Sequence, residues 1–579
     1  MTDSETAGIS PQTAAPAPTP GPPPRFFAAL ARRPFVVLAF LGLLMWLPGV
    51  LSLPALDRDE SRFAQSSRQM VESGNLVDIR FGRVPRYKKP VGIYWLQAAS
   101  TAIAGRGVDS QIWTYRLPSL LGAVAAAWLT VWCALAVTGA DVALAAGLLM
   151  LSSVLLTAEA TIATTDAVLL AFTLAVQGVL LRVYRAARDP DAPQPSNRLI
   201  YLGWIAVAGG VLVKFPVVPG VAIATIIGLV AWDRQWRWLG RLKPVSGLLL
   251  ALLLVTPWLA AIAVQSHGAF FQQSLGNDFA SKIAGAQESH GSPPGYYLLL
   301  SAATFWPAIL FIAPGIALGI ARRNEPAIRF LLVWAAVWWI LVEAVPTKLP
   351  HYVISAYPAL AILAALFVLT PPQGVRSVWL AITRWIGGVQ FVIGTVALTA
   401  VPIVLPGLYG GGNVWWLIAL AGTGAVLALA ALILSIQRSF AWAVLMSVLA
   451  MLVFAPTLTA GDGPRLTQLW VTQRLKPLVI AASRPGDPPP ALAGYQEPSM
   501  LFALGADVVL TNGSGAADAG ARSGGLALVE DSEKGAFLAR LAELQADATA
   551  VSDLSGFNYS RGRKVHVTVY RVVQLPGPG

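Results

Sequence analysis

Acidic and basic side chains of the kinds used in group transfer cluster directly after the first long apolar segment. The segment Asp57–Arg62 reads DRDESR. A carboxylate beside an apolar surface can act as a general base, and Arg and Lys side chains can bind a phosphate or pyrophosphate. Anchoring to lipid headgroups is the alternative explanation for the cations. They continue along the chain at Arg80, Arg83, Arg86, Lys88 and Lys89.

A second candidate group lies where one apolar run ends and the next begins. Asp166 follows two threonines, and Glu159 precedes it by seven positions. Ionisable residues close to membrane depth are costly and therefore indicate function. The alternative is that Thr164, Thr165 or Asp166 caps the next helix.

Two short polar segments complete the candidates. In the first, EAVPTKLPHY, Lys348 and His351 could bind phosphate and Tyr352 could stack on a sugar, or the segment is a rigid proline-punctuated turn with an interfacial tyrosine. In the second, residues 266–296, Glu288 and His290 are candidate metal ligands, although their spacing matches no recognised zinc pattern. A divalent metal is therefore an open alternative, and no other cofactor is indicated.

The composition requires that membrane helices position these residues. Of 579 residues, 56% are apolar and 12% charged, and the mean hydropathy is +0.63. Soluble enzymes carry about a quarter charged residues, so that class is excluded. A disordered or nucleic-acid-binding basic protein is excluded too, despite the net charge of +12. The lone Cys133 excludes a disulfide framework within the chain.

The apolar runs predict about 13 transmembrane helices, the first from Pro34 to about Leu53. The piece Val91–Ala104 is short for a span and predicts a helix along the membrane surface. If the N-terminus is cytoplasmic, the arginine-rich short loops lie inside, in agreement with the positive-inside rule. The later runs begin near residues 113, 141, 166, 199, 216, 246, 297, 327, 352, 380, 414 and 440.

The fold class expected is an all-α polytopic membrane protein with a small soluble C-terminal α/β domain. Three candidate strands, Ala506–Leu510, Leu526–Val529 and Val565–Tyr570, and a helix over Ser532–Ala546 with a serine cap predict that domain. With 13 spans it lies outside the cytoplasm. The predicted parts are a disordered cytoplasmic tail over 1–33, a transmembrane domain over 34–456 with an outer loop at 54–112, and a periplasmic domain over 457–579.

Four motifs in order resemble the lipid-dependent glycosyltransferases of the GT-C fold. This family includes the bacterial aminoarabinose transferases that act on lipid A and the dolichyl-phosphate-mannose protein mannosyltransferases. The sequence departs from the family pattern at Lys88, where the lipid A branch has an acid, and at Val91. The matching segments are Asp59–Ala64, Tyr87–Pro90 with Tyr94–Gln97, Thr165–Asp166, and Lys348–Tyr352 with Pro358.

The resemblance implies a sugar donor on a polyprenyl phosphate and a lipid A or lipopolysaccharide acceptor at a bacterial inner membrane. We predict Asp59 as the general base, with Asp166 positioning the acceptor or sharing that role and Glu60 orienting the site. Direct displacement predicts inversion at the sugar carbon. The cations expected at the donor phosphate are Lys89, Arg86, Lys348 and Arg62, and the other substrate contacts expected are Tyr87, His351 and Tyr352.

Three other functions remain open at this point. A protein O-glycosyltransferase would use the same machinery, and a transporter or flippase for a lipid-linked sugar would use the same basic strip without bond chemistry. Transporters usually contain internal repeats, which the sequence lacks. A membrane-anchored display module would leave the polar groups unexplained. The donor sugar is also open: aminoarabinose, galacturonic acid, mannose and other hexoses all fit.

Overall fold

The computed structural model describes residues 25–274, 276 and 292–573. Over this part of the chain, nine helices are long and apolar enough to cross a membrane, and the count is ten if one pair bent by 62° forms a single span. The nine segments are Pro34–Ser52, Ile112–Leu135, Asp166–Ala186, Pro244–Gln265, Pro326–Ala344, Pro350–Leu369, Ser377–Tyr409, Trp415–Ile436 and Phe440–Arg465.

Together with shorter helices these segments form the membrane domain. Its helices are α1 (Arg25–Leu30), α2 (Pro34–Ser52), α3 (Asp59–Ser73), α4 (Gly92–Ala104), α5 (Ile112–Leu135), α6 (Ala140–Leu151), α7 (Val154–Thr161), α8 (Asp166–Ala186), α9 (Asn197–Lys214), α10 (Val217–Asp233), α11 (Pro244–Gln265), α12 (Ala269–Phe271), α13 (Tyr296–Thr304), α14 (Ile309–Ala321), α15 (Pro326–Ala344), α16 (Tyr357–Leu369), α17 (Ser377–Tyr409), α18 (Trp415–Ile436) and α19 (Phe440–Pro456).

A helix is present at each predicted membrane segment, but several of these helices are short. A helix forms at each of the 13 predicted apolar runs, whereas nine or ten meet the length and hydropathy expected of a span. The run near 297 is divided into α13 and α14, and α10 has 17 residues. The predicted tail over 1–33 is also too long, because α1 is helical and Phe27 is fully buried.

Close helix contacts at glycine position the elements that carry the candidate site. A Cβ on Gly122 of α5 would lie 2.8 Å from the backbone nitrogen of Val168, in the first turn of α8. A Cβ on Gly92 of α4 would lie 2.8 Å from the backbone of Leu212, two residues before the end of α9. Small residues allow such approach between membrane helices. The starts of α4 and α8 and the end of α9 are therefore held against their neighbours.

The predicted outer loop 54–112 is largely ordered. It contains α3, a two-stranded hairpin of β1 (Arg80–Phe81) and β2 (Val84–Pro85), and the 13-residue α4. Helix α4 coincides with the predicted short helix over 91–104. Its length of 13 residues is below the roughly 20 that a span needs, as expected from the sequence.

The C-terminal domain is a five-stranded mixed sheet with helices. Strands β3 (Ala491–Ala493), β4 (Val509–Thr511) and β5 (Gly525–Glu530) are parallel. Strands β5 and β6 (Ala548–Asn558) each pair antiparallel with β7 (Arg563–Val572), in the order β4-β3-β5-β7-β6. The predicted helix begins at Asp531, so Ser532 is not its cap. The elements are α20 (Val471–Ala482), β3 (Ala491–Ala493), α21 (Pro498–Leu504), β4 (Val509–Thr511), α22 (Gly513–Ser523), β5 (Gly525–Glu530), α23 (Asp531–Leu544), β6 (Ala548–Asn558) and β7 (Arg563–Val572).

The join between the two domains differs from the predicted boundary at 456. Helical structure continues through a π-helical turn and a short 3₁₀ turn to Arg465. The connection to α20 is short and hydrogen-bonded: Trp470 Nε1 donates to the Gly463 carbonyl at 2.8 Å, and the Gln468 amide donates to the Tyr409 carbonyl at 2.8 Å.

Candidate active site

A polar cavity of about 260 Å³ lies beside the first residues of α3 and α8. It collects side chains that are far apart in the sequence, so folding brings together most of the predicted candidates. The ionisable and aromatic residues that line it include Asp59, Lys89, Glu159, Asp166, Lys214, His351 and Tyr352.

Asp166 is a cavity carboxylate held by a hydrogen bond at each of its two oxygens. One oxygen accepts a hydrogen bond from Lys214 Nζ at 2.7 Å, and the other accepts one from the Thr165 hydroxyl at 2.9 Å. Asp166 is the first residue of α8, where the helix dipole favours a negative charge. The N-cap residue, Thr165, makes no side-chain capping bond. Among the described contacts, no side chain of this segment caps α8, so the alternative explanation of these residues as a helix cap is wrong.

His351 lies between two carboxylates. Its Nε2 is 3.9 Å from Asp166 Oδ1, and its Nδ1 is 3.9 Å from Glu159 Oε1. Glu159 is buried and accepts a hydrogen bond from the Thr164 hydroxyl at 2.8 Å. Both separations are longer than a hydrogen bond, so the imidazole lies near the two acids without being bonded to either, and it lines the cavity. From the sequence, Glu159 is a neighbour of Asp166 with no assigned role in the site.

Asp59, the first residue of α3, faces the cavity with 63% of its side chain exposed. One oxygen lies 3.6 Å from both Arg86 and Arg62. The surrounding protein disfavours its charge, but Arg86, Arg62, Lys89 and Lys214 outweigh that effect and hold the pKa of Asp59 below its usual value. Asp59 is therefore an ionised and accessible carboxylate at neutral pH, as a general base must be.

Glu60, expected from the sequence to orient the site, is held on all sides by hydrogen bonds. It is buried, and its two oxygens accept bonds from Arg116 Nε at 2.8 Å and Nη2 at 2.9 Å. They also accept the backbone N–H groups of Ala163 at 2.7 Å and Leu56 at 2.8 Å. These four bonds use the carboxylate fully, so Glu60 is a positioning residue.

Arg116, which is not among the residues predicted from the sequence, is the partner of Glu60. Besides Glu60, it donates to the carbonyls of Val50, Leu53 and Pro54 at 3.0, 2.7 and 2.9 Å. It thereby satisfies carbonyls at and beyond the end of α2, which have no partner within the helix. In the sequence, Arg116 follows a loop that contains many charges, and the only signal that distinguishes it is its position inside the apolar run that begins near residue 113.

The candidate phosphate-binding cations divide into two groups. Lys89 and Lys214 line the polar cavity. Arg86 is not a lining residue of the cavity; its guanidinium donates to the Tyr94 hydroxyl at 2.6 Å and lies 5.0 Å from the ring centre of Phe63. Lys214 is absent from the sequence-predicted site. The one sequence feature that could have indicated Lys214 is its position as a single lysine at the end of an apolar run, on the predicted outer side.

Lys348 does not reach the described cavities, contrary to its predicted role at the donor phosphate. It is buried, and its ammonium donates to the carbonyls of Glu343 and Val345 at 2.9 and 2.8 Å. These carbonyls lie at the end of α15. Lys348 therefore closes a helix terminus, as cations commonly do.

Of the three predicted substrate contacts, His351 and Tyr352 reach the cavity and Tyr87 does not. The Tyr87 hydroxyl donates to Asp78 at 2.8 Å, and its ring packs on Phe270. The ring of Tyr352 lies 5.8 Å from Lys214 Nζ, close enough for a cation–π interaction.

An apolar groove of about 270 Å³ adjoins the polar cavity. The two share Lys89, Asp166, Lys214, His351 and Tyr352. The groove walls come from α8, α10 and α15 and from the residues before α10. A molecule with an apolar tail and a charged head can therefore occupy both spaces at once. The apolar lining includes Leu169, Leu170, Phe215, Pro216, Val217, Trp338, Leu341 and Val342.

The metal question stays open. Glu288 and His290 lie outside the described residues. Within residues 25–274, 276 and 292–573, no group of three or more His, Cys, Asp or Glu side chains could hold a metal ion.

A larger crevice of about 1080 Å³ lies between Tyr409 and the C-terminal sheet. Two of its basic side chains are already paired: Arg563 with Glu530 at 2.7 Å, and His566 with Asp531 and Asp553 at 3.1 and 3.0 Å. Arg474 and Lys564 also line this crevice.

Comparison with known proteins agrees with this geometry. The family described as Dolichyl-phosphate-mannose-protein mannosyltransferase matches residues 88–260. Proteins described as undecaprenyl phosphate-alpha-4-amino-4-deoxy-L-arabinose arabinosyl transferase match a larger part. The one from Edwardsiella ictaluri is 25% identical over 375 residues, 64% of this chain and 63% of the relative. That from Enterobacter sp. (strain 638) is 27% identical over 343 residues, 58% and 59% of the two chains.

The structural likeness extends over nearly the whole chain. The overall architecture is the GT-C fold, shared with membrane glycosyltransferases. ArnT from Cupriavidus metallidurans, bound to undecaprenyl phosphate, aligns with a TM-score of 0.70 at 19% identity, over 96% of this chain and 99% of ArnT. The oligosaccharyltransferase AglB from Archaeoglobus fulgidus aligns with a TM-score of 0.50 at 12% identity, over 87% and 70%.

The predicted fold class and the predicted resemblance are thus confirmed. The chain is a multi-pass membrane protein that resembles the aminoarabinose and protein mannosyl transferases. In sequence, its match spans 63% and 59% of the length of the two arabinosyl transferases.

Proposed function

We propose that this protein transfers a sugar from a polyprenyl phosphate to an acceptor in the cell envelope. The observation that carries the proposal is the apolar groove that opens into a polar cavity containing Lys89, Lys214 and Asp59. The groove suits a prenyl chain, the lysines suit its phosphate, and Asp59 lines the cavity in which the sugar would lie. The relatives that use undecaprenyl phosphate-linked aminoarabinose support this donor class.

The reaction is a single displacement. An acceptor hydroxyl oxygen bonds to the anomeric carbon while the bond from that carbon to the phosphate oxygen breaks, and the electron pair leaves with the lipid phosphate. Asp59 takes the hydroxyl proton, which is worth roughly 10²- to 10⁴-fold in rate. Lys89 and Lys214 stabilise the growing phosphate charge. Attack opposite the leaving group inverts the sugar carbon.

We place the enzyme in the bacterial inner membrane with its N-terminus in the cytoplasm and residues 466–573 in the periplasm. The arginine-rich short loops support this orientation. In a Cys133→Ala background, Ala542→Cys should react with a membrane-impermeant maleimide in intact cells, whereas Gln437→Cys should react only after permeabilisation. Both residues are exposed. The reverse labelling pattern would invert the proposed topology.

Lipid A is the acceptor that the arabinosyl transferase resemblance favours. The test is mass spectrometry of lipid A, core and total envelope glycans from cells with the gene deleted, restored, or restored as Asp59→Asn. One sugar mass should vanish on deletion, return with the wild type and stay absent with Asp59→Asn. The matched control is Asp109→Asn, an exposed carboxylate in the same loop, which should restore the mass.

Other outcomes would change the proposal. If the vanishing mass is on protein, the protein O-glycosyltransferase alternative replaces lipid A, as the family match over residues 88–260 would favour. If Asp59→Asn restores the product fully, the base assignment is wrong. An acceptor phosphate, already ionised at neutral pH, would explain that result. If every glycan is unchanged, the transporter alternative gains support.

A further inference from the structure

The residue before Asp59 has an unusual backbone conformation. Arg58 has φ 63° and ψ −118°, a region that residues other than glycine rarely adopt. Such a conformation persists only when surrounding contacts hold it. Because Arg58 directly precedes the first residue of α3, its conformation sets the direction in which Asp59 leaves the loop.

The C-terminal domain provides contacts to this turn. The Asp57 amide donates to the Tyr559 hydroxyl oxygen at 2.6 Å, and the Ser499 hydroxyl donates to Asp57 Oδ1. The Arg58 guanidinium donates to the carbonyl of Ser560. All three partners follow the turn by more than 400 residues in the sequence.

Neighbouring contacts fix the same surface on both sides. Gln473 donates to the Ala55 carbonyl at 2.7 Å, before the turn. After it, Arg68 of α3 donates to the Phe502 carbonyl at 2.8 Å, and its guanidinium lies 4.2 Å from the Phe502 ring centre. The domain therefore holds the loop and the helix that flank Asp59.

We propose that Tyr559 and Ser499 are positioning residues for the Asp59 carboxylate. They hold the Asp57–Arg58 turn in its unusual conformation, and the turn directs Asp59 toward the polar cavity. This inference rests on the proposed function, in which Asp59 is the general base. It assigns the C-terminal domain a part in catalysis without any contact between that domain and the sugar.

The experiment uses the full-length protein in liposomes, with undecaprenyl phosphate-linked aminoarabinose as donor and lipid A as acceptor. Tyr559→Phe removes the oxygen that accepts the Asp57 amide and keeps the ring that packs near Trp470. We expect kcat to fall about two- to tenfold, the usual effect of one lost hydrogen bond, with the donor KM unchanged. Ser499→Ala should act in the same direction.

Two further readouts separate positioning from general damage. Tyr559→Phe should speed amide hydrogen exchange over residues 54–62. The double variant Tyr559→Phe with Asp59→Asn should be no slower than Asp59→Asn alone, because a residue that acts through Asp59 has no effect once that carboxylate is gone. The matched control is Tyr570→Phe in the same domain, whose ring packs on Phe537, and it should leave kcat and exchange unchanged.

Each result decides a separate question. If Asp59→Asn abolishes transfer while Tyr559→Phe keeps wild-type kcat and exchange, the positioning proposal is overturned and the proposed function stands. Additive losses in the double variant would also overturn it. If Asp59→Asn retains full transfer, the base assignment fails, and the positioning proposal falls with it. If the wild-type protein transfers no sugar from this donor, hydrogen exchange decides the question. Unchanged amide exchange over residues 54–62 in Tyr559→Phe would reject the contact on which the positioning proposal depends. Faster exchange would support that contact.

Discussion

Lys214 Nζ lies 2.7 Å from Asp166 Oδ1, joining the last residue of α9 to the first residue of α8. Each charge lies at the helix end whose dipole favours it. Because Lys214 also lines the cavity and the adjoining apolar groove, the pair holds a cation where the two spaces meet, which is the position proposed for the donor phosphate.

Replacing Lys214 with Met should weaken binding of undecaprenyl phosphate about ten- to a hundredfold, the range for a lost charged hydrogen bond. Titration calorimetry of the purified protein measures this effect. Lys476→Met, an exposed lysine of the C-terminal domain, is the control. Equal affinities in the two variants would remove Lys214 from the donor site.

Arg116→Leu should destabilise the protein by about 3–5 kcal/mol, because it leaves Glu60 buried without its cation. A thermal unfolding series against exposed Arg106→Ala tests this prediction. The double variant Glu60→Leu with Arg116→Leu should not recover the wild-type value. The carbonyls of Val50, Leu53 and Pro54 would still lack their donor. Full recovery in the double variant would mean that the pair is only an ion pair.

Lys348→Met should reduce stability by about 1 kcal/mol or less while leaving undecaprenyl phosphate affinity unchanged, because the lysine serves the end of α15. Calorimetry and thermal unfolding on one preparation separate the two effects. A loss of affinity similar to that of Lys214→Met would instead restore the role that the sequence suggested.

The interface at Asp57 should weaken as the pH rises. Burial, with the nearby charge of Glu497, raises the pKa of Asp57 from 3.8 to about 7, whereas Ser499, Tyr559 and Arg58 act in the opposite direction. Tyr495 also faces it. The folded protein therefore keeps a proton between about pH 4 and pH 7 that the unfolded chain loses, and stability falls with rising pH across this interval.

Melting temperatures at pH 5.5 and 8 measure this dependence. Asp57→Asn, which does not titrate, should reduce the difference between the two values. A difference as large as in the wild type would assign the pH dependence to other groups.

The sequence predicted what depends on apolar runs and local motifs. The membrane helices, the α/β domain and the meeting of Asp59, Asp166, His351 and Tyr352 followed from hydropathy, alternation and motif order. The roles of Lys214, Lys348 and Arg116 did not follow, because each depends on which carbonyl or carboxylate a distant helix brings within reach. A lysine in an outer loop gives the same sequence signal whether it faces a cavity or closes a helix end.

The short join between the domains restricts how the acceptor arrives. Residues 466–470 are the only ones between the helical segment that ends at Arg465 and α20, and hydrogen bonds at Gln468 and Trp470 fix them. This connection is too short and too well fixed to act as a flexible linker, so the C-terminal domain cannot move away from the membrane domain to bind a substrate and then return with it. An acceptor embedded in the bilayer would have to reach the cavity by lateral diffusion, while the C-terminal domain stays in a fixed position beside it.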